Sequence, residues 1–217
     1  MIQAIAFDID NTLTDNVSWL KMTELLGASV AAHEDLFRRM LIHELSYVEA
    51  RDQLVALWQA TGNANQAYLT DMFANWQLKA GAHELVSYIV DQGYQTALIT
   101  GSVDLFAEAI AQQLHIPHWY ANATLEWDKS GNLSTFHYTL DQAGRKLEQL
   151  QEFTTSVSVP LTSCAVVADG ANDTETFRAT KHGIVVGPGE ISLLRVSWKR
   201  VNTLPEVIGV LEVARRK

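Results

Sequence analysis

Four short apolar runs, each stopping abruptly at polar residues, constrain this chain more than any other feature. They are Ile5-Ala6-Phe7, Tyr94 to Ile99, Ala165-Val166-Val167-Ala168 and Gly183-Ile184-Val185-Val186. Runs of this length bounded by turn residues read as strands buried on both faces. Between them lie stretches of helical period: Leu85, Val86, Ile89 and Val90 ending at Gly93, then Leu105, Ala109 and Ile110 to Leu114, then Lys146, Leu147, Leu150 and Phe153. Strands alternating with helices build a parallel α/β sheet. The expected fold class is therefore α/β. Residues 123–138 break the rhythm, alternating around Asp128-Lys129-Ser130-Gly131-Asn132 as a hairpin.

Residues 16–79 have a different pattern. No proline precedes Pro117, and Leu20, Leu25, Leu26 and Val30 give one apolar set while Phe37, Met40 and Leu41 give another. Ser46-Tyr47-Val48-Glu49 has the form of a capping box opening a helix toward Leu54, Val55, Leu57 and Trp58. Ala64, Tyr68, Leu69, Met72, Phe73 and Trp76 recur at helical spacing after the turn at Thr61-Gly62-Asn63. The expectation is a bundle of about four helices inserted after the first strand.

Ligands of open parallel sheets bind beyond the carboxyl ends of the strands. The first strand runs into Asp8 and Asp10, the second into Thr100-Gly101-Ser102, and the third into Asp169 and Asp173. Carboxylates converging at one end of a sheet repel one another unless a cation joins them, and oxygen donors without His or Cys select magnesium over zinc. Thr100 with the backbone N–H groups after it reads as a phosphate cradle like a helix N-terminus, and Lys146 supplies a positive charge. The set suits phosphoryl transfer.

Composition removes other classes. A formal net charge of -9 argues against nucleic acid or an anionic membrane as partner. The single Cys164 excludes an internal disulfide and a thiolate metal cluster. The N-terminus runs straight into a strand without a basic start, and no stretch is apolar enough to span a bilayer, so a cytoplasmic location is expected.

Taken in order, Asp8-Ile9-Asp10-Asn11-Thr12-Leu13-Thr14, Leu98-Ile99-Thr100-Gly101, Lys146 and Val167-Ala168-Asp169-Gly170-Ala171-Asn172-Asp173 resemble the motifs of the haloacid dehalogenase superfamily of phosphohydrolases. The last motif, with Tyr120-Ala121-Asn122, is most similar to the phosphoserine-phosphatase-like branch. The resemblance implies a Rossmann-like core from residues 1–15 and 80–217, with residues 16–79 as a helical cap. It implies a magnesium-dependent phosphatase acting on a small phosphorylated metabolite through an aspartyl-phosphate. Asp8 is the implied nucleophile and Asp10 the acid and base. Asp8, Asp10 through its backbone carbonyl, and Asp169 with support from Asp173 are the implied magnesium ligands. Thr100, Gly101, Lys146 and Asn172 are the implied phosphate partners, with Arg145 an alternative to Lys146; Leu150 and Phe153 place Lys146 at the edge of an apolar face.

Two amino-acid handles of phosphoserine phosphatases are absent. The resemblance places an acidic residue where Val17 stands and an arginine nearest Leu54, with Arg51 close by. A substrate other than phosphoserine is therefore expected. The aromatic and methionine side chains of the insertion, among them Trp19, Phe37, Met40, Trp58 and Trp76, are expected mainly in the insertion's own core. A phosphomutase with the same two aspartates and a non-catalytic phospholigand-binding protein remain as alternatives. Oligomeric state is not legible.

Overall fold

A computed structural model describes residues 1–216. Seven strands form one sheet in the order β4-β3-β2-β1-β5-β6-β7, parallel except for the β3–β4 hairpin. They are β1 (Ala4–Phe7), β2 (Gln95–Val103), β3 (His118–Trp127), β4 (Leu133–Tyr138), β5 (Cys164–Ala168), β6 (Gly183–Val186) and β7 (Lys199–Val201). Ten α-helices accompany them among the described residues: α1 (Ser18–Leu25), α2 (Val30–Leu41), α3 (Tyr47–Gln59), α4 (Gln66–Ala74), α5 (Ala82–Asp91), α6 (Asp104–Leu114), α7 (Gln142–Ser156), α8 (Thr174–Thr180), α9 (Ile191–Leu194) and α10 (Glu206–Arg215). The α/β class expected from the alternation is the observed one.

Alternation along the central strands divides the core between two faces. Ile5, Phe7, Leu98, Ala165 and Val167 join one apolar cluster, shared with α5, α6, α10 and the helices of 16–79. Ala4, Ala6, Ala97, Ile99 and Val166 join the other, with Leu150 and Phe153 of α7 and Phe177 of α8. Because β1 to β4 run outward on one side and β5 to β7 on the other, the strand order reverses next to β1. Such a reversal opens a crevice at the strands' carboxyl ends, where Asp8 and Asp169 stand.

The segment 16–79 leaves and rejoins the sheet at one point. The Lys79 N–H donates to the Leu13 carbonyl at 2.7 Å, and Lys79 Nζ donates to the Asn11 carbonyl. The capping box forms: Ser46 Oγ accepts from the Glu49 N–H at 3.2 Å and Glu49 Oε2 from the Ser46 N–H at 2.9 Å. The segment rests on the hairpin, where the Leu133 N–H donates to the Ala64 carbonyl and the Gln66 N–H to the Gly131 carbonyl, each at 2.8 Å. At its other end Phe73 and Trp76 pack on Phe106 of α6, with ring centres 5.2 and 4.8 Å apart.

Two differences from the sequence expectation bear on function. β2 does not stop at Ile99 but continues to Val103, with a register shift against β3 between Thr100 and Val103. Helix α6 therefore begins at Asp104, and Thr100-Gly101-Ser102 is an irregular strand rather than a helix entrance. The C-terminal segment carrying α9, β7 and α10 completes the sheet edge. Gly81, at φ +85°, lets that segment approach, since a Cβ there would lie 2.6 Å from the Pro205 ring.

Candidate active site

Asp8 directly succeeds β1, its N–H still donating to the Val167 carbonyl at 3.0 Å, so the strand ladder fixes its position. The next turn wraps the Ile9 carbonyl, which accepts from the N–H groups of Thr12, Leu13 and Thr14 at 2.9–3.1 Å. Asn11 takes a left-handed backbone (φ 54°), a conformation asparagine tolerates better than most residues.

The Asp10 carboxylate accepts from the Ser18 N–H at 3.0 Å and from Ser18 Oγ at 2.8 Å, and Ser18 Oγ lies 2.5 Å from Ser102 Oγ. Asp10 keeps some accessible surface, yet protein surrounds its carboxyl on most sides. This enclosure, and then the neighbouring Asp8 charge, push its pKa up to about 7 against the opposing Ser18 hydrogen bonds. A carboxyl so poised holds or releases a proton near neutrality.

Lys146 is fully buried (0% exposed), on the face of α7 that also carries Leu150 and Phe153. Its Nζ lies 2.8 Å from Asp173 Oδ2 and 3.0 Å from Asp8 Oδ1. Burial alone would lower the ammonium's pKa; the Asp173 and Asp8 carboxylates more than offset it, so the net shift is upward and the pair is ionic. Arg145 points the other way, onto Glu148 and Glu152 at 3.0 and 3.3 Å.

Asp169 directly succeeds β5, and its Oδ1 accepts from Thr12 Oγ1 at 3.1 Å. Burial and then the Asp8 charge raise its pKa to about 6. The Asp169 carbonyl accepts from the Glu190 N–H at 3.1 Å, and Glu190 Oε1 accepts from the Ala171 N–H at 2.9 Å, which fixes the loop carrying Asn172 and Asp173.

The fully buried Thr100 accepts at Oγ1 from the Ser102 N–H at 3.1 Å. Gly101 faces α7 and the Asp169 loop: a Cβ there would meet Gln142 Oε1 at 2.8 Å and Asn172 Nδ2 at 3.4 Å. Gln142 itself is held by Asn122, whose Nδ2 donates to Gln142 Oε1 at 2.8 Å. Ser18, Ser102 and Gln142 are partners that sequence reasoning misses. Ser18 and Ser102 lie 84 positions apart and belong to no motif, so only the fold joins them.

The residues present fit a cation. Four carboxylates, Asp8, Asp10, Asp169 and Asp173, lie near one buried ammonium that contacts only Asp8 and Asp173 among them, an excess of negative charge. These are hard oxygen donors suited to magnesium. Among the described residues no three His, Cys, Asp or Glu side chains gather closely enough to hold a metal by themselves. Ser18 draws off the Asp10 carboxylate, and Lys146 holds Asp173. The oxygens left to a cation are those of the Asp8 and Asp169 carboxylates and the Asp10 backbone carbonyl, which receives no hydrogen bond among the described residues.

Away from the sheet edge, α1, α2, α3 and β4 enclose a cavity of about 510 Å³ whose lining includes Val17 and Leu54. The insertion's aromatic and methionine side chains divide. Met22, Trp58, Phe73 and Trp76 are core, as expected, whereas Trp19, Phe37 and Met40 line the cavity.

Comparison with known proteins gives the family and the fold. The family model for haloacid dehalogenase-like hydrolases matches residues 2–180. The phosphoserine phosphatase of Idiomarina loihiensis is 25% identical over 210 residues, covering 96% of this chain and 93% of the relative. That of Streptomyces coelicolor is 24% identical over 183 residues, covering 83% of this chain but 43% of the longer relative. A substrate-bound phosphoserine phosphatase structure superposes with a TM-score of 0.76 at 18% identity, covering 97% of this chain and 98% of its own. No helix among the described residues is long and apolar enough to cross a membrane. The relatives agree with the enzyme class expected from the sequence, a phosphatase. With the family match spanning most of the chain, the protein belongs to the haloacid dehalogenase-like hydrolases, in their phosphoserine-phosphatase-like branch.

Proposed function

We propose that this protein is a magnesium-dependent phosphomonoester hydrolase whose nucleophile is Asp8 and whose substrate is not phosphoserine. The observation that carries the proposal is the convergence of Asp8, Asp10, Lys146 and Asp169 at the carboxyl ends of β1 and β5. The Asp8 carboxylate attacks phosphorus in line, and the P–O bond to the leaving group breaks. Asp10, protonated at the start, gives its proton to the departing oxygen, which leaves as an alcohol. It then takes a proton from the water that hydrolyses the aspartyl-phosphate. Ser18 keeps Asp10 pointed at the leaving group through both steps. Lys146 neutralises part of the phosphoryl charge, with Thr100, Gly101 and Asn172 beside it; Asp173 keeps the ammonium in place. Magnesium held by Asp8, Asp169 and the Asp10 carbonyl would offset the repulsion between the nucleophile and the phosphoryl oxygens.

Residues 16–79 act in this proposal as a cap that selects the substrate and excludes water. Support for a substrate other than phosphoserine comes from Val17 and Leu54. Both line the cavity where the resemblance places an ammonium-binding acid and a carboxylate-binding arginine. Arg51 is bonded to Asp52 at 2.8 Å and lies 5.7 Å over the Tyr47 ring. Phosphate release across a panel of phosphorylated compounds, with and without magnesium, tests the assignment. Metal-dependent release is expected, with phosphoserine among the poorest substrates. Transfer of the phosphoryl group to a second substrate alcohol instead of water would make the protein a phosphomutase.

A further inference from the structure

The cavity under α2 has mostly apolar walls. Trp19 packs against Phe136 and Tyr138, with ring centres 5.2 and 5.7 Å apart. Most polar groups along its walls are held by the protein, and Glu34, the one lining acid, is exposed to solvent. His33 Nδ1 lies 2.8 Å from Thr23 Oγ1, and burial lowers its pKa to about 4, so the ring is neutral. Arg38 is bonded to Asp35 at 2.6 Å and Arg51 to Asp52. The lip is apolar and open, with Phe37 49% and Leu41 60% exposed. A volume of about 510 Å³ is in the range of small-molecule sites.

Two of the cavity's lining residues, Val17 and Trp19, adjoin the phosphoryl site. Val17 directly precedes Ser18, the residue that holds Asp10. Trp19 Nε1 donates to the Gly101 carbonyl at 3.3 Å.

Resting on the phosphatase assignment above, we infer that the cavity seats the substrate's leaving group, and that this group is a bulky apolar alcohol of aromatic-ring size or larger. The phosphoryl passes to an Asp8 oxygen, the P–O bond to the apolar group breaks, and Asp10 supplies the proton that turns its oxygen into a hydroxyl. The free alcohol then leaves past Phe37 and Leu41. An amino-acid leaving group would bury an ammonium and a carboxylate against Val17 and Leu54, where Arg38 and Arg51 are already bonded to Asp35 and Asp52 and the one lining acid, Glu34, is exposed to solvent, a penalty for both charges.

Two measurements test this. In the first, binding of 1-naphthalenemethanol and of serine to the metal-free protein is measured by calorimetry. The aromatic alcohol is expected to bind at least about tenfold more tightly, and F37A and L41A, both exposed and so compatible with folding, should each reduce that preference. In the second, naphthylmethyl phosphate should exceed phosphoserine in kcat/KM by at least about tenfold, with F37A raising its KM. Absence of all turnover with the aromatic alcohol still bound defeats the phosphatase assignment but keeps the pocket's occupant class. Equal binding of alcohol and serine, or phosphoserine hydrolysed as well as the naphthyl ester, overturns the inference. Self-association abolished by F37A, with ligand preference unchanged, overturns it too by giving the lip to a second copy.

Discussion

At the carboxyl edge of the sheet, four carboxylates crowd around one buried ammonium, and almost every polar atom is engaged by another. Under α2, a cavity of about 510 Å³ is walled mainly by aromatic and aliphatic side chains, and its two arginines are paired with neighbouring aspartates. The first region spends folding stability to hold charges close together; the second loses nothing by being apolar, because that is how a core is built. The difference teaches where each kind of specificity comes from. Charge held out of water fixes the reaction, and the shape of an apolar space fixes what can be attached to the reacting group.

Substitutions should separate the two regions. The largest effect belongs to Asp8→Asn, which removes the nucleophile while keeping its shape; phosphate release should fall by a factor on the order of 10⁴ or more, measured by steady-state assay. Asp10→Asn should lower ester hydrolysis by about 10²- to 10⁴-fold, the range of a lost general acid. It should cost least for esters whose alcohol is already acidic, because such oxygens leave without a proton.

Asp10→Asn also has a stability signature. The Asp10 and Asp169 carboxyls have folded pKa values near 7 and 6, above their ordinary value of 3.8. Groups raised in this way stabilise the fold while protonated; that contribution is complete below the unfolded pKa and is lost as pH rises through the folded one. The metal-free protein should therefore become easier to denature between about pH 4 and pH 7. Magnesium should return part of the loss, and Asp10→Asn should flatten the upper part of the curve. Urea midpoints across that pH range measure it.

Next in size is Lys146→Met. Removing the ammonium leaves Asp8 and Asp173 buried at 5% and 2% exposure without their cation. Breaking such a buried pair costs about 3–5 kcal/mol, and adding Asp173→Asn should recover part of it. The smallest effect is expected at the cap. Ser46→Ala removes the capping box of α3 and should cost about 1 kcal/mol without altering the chemistry at Asp8. A large change in the rate constant from that variant would show that cap and site are not separable.

Much of this architecture is legible in the sequence because the sheet's strands announce their ends. Asp8, Thr100 and Asp169 each come after a run too apolar and too short to be anything but a buried strand, and Lys146 shares a helical face with Leu150 and Phe153. The irregular strand from Thr100 to Val103 is not legible, since Gly101 and Ser102 carry turn residues' signals while β3 supplies the pairing. The Ser18–Asp10–Ser102 network is hidden for the same reason, being made by tertiary approach. β7 has three residues and no alternation to read, and it exists because β6 offers it an edge. The division of the aromatic residues is also out of reach. Trp19 and Trp58 are stacked 6.1 Å apart, yet one lines the cavity and the other is sealed in the core, and composition cannot distinguish them.

The most direct test is to identify the atom that receives the phosphoryl group. Protein mixed with a hydrolysable phosphate ester and magnesium, then quenched in acid and digested, should carry a phosphoryl mass increment on the peptide containing Asp8. The increment should be absent from Asp8→Asn and longer-lived in Asp10→Asn. Phosphate release by Asp8→Asn at the wild-type rate, or a phosphoryl group found on another residue, would contradict the assignment of Asp8 as nucleophile.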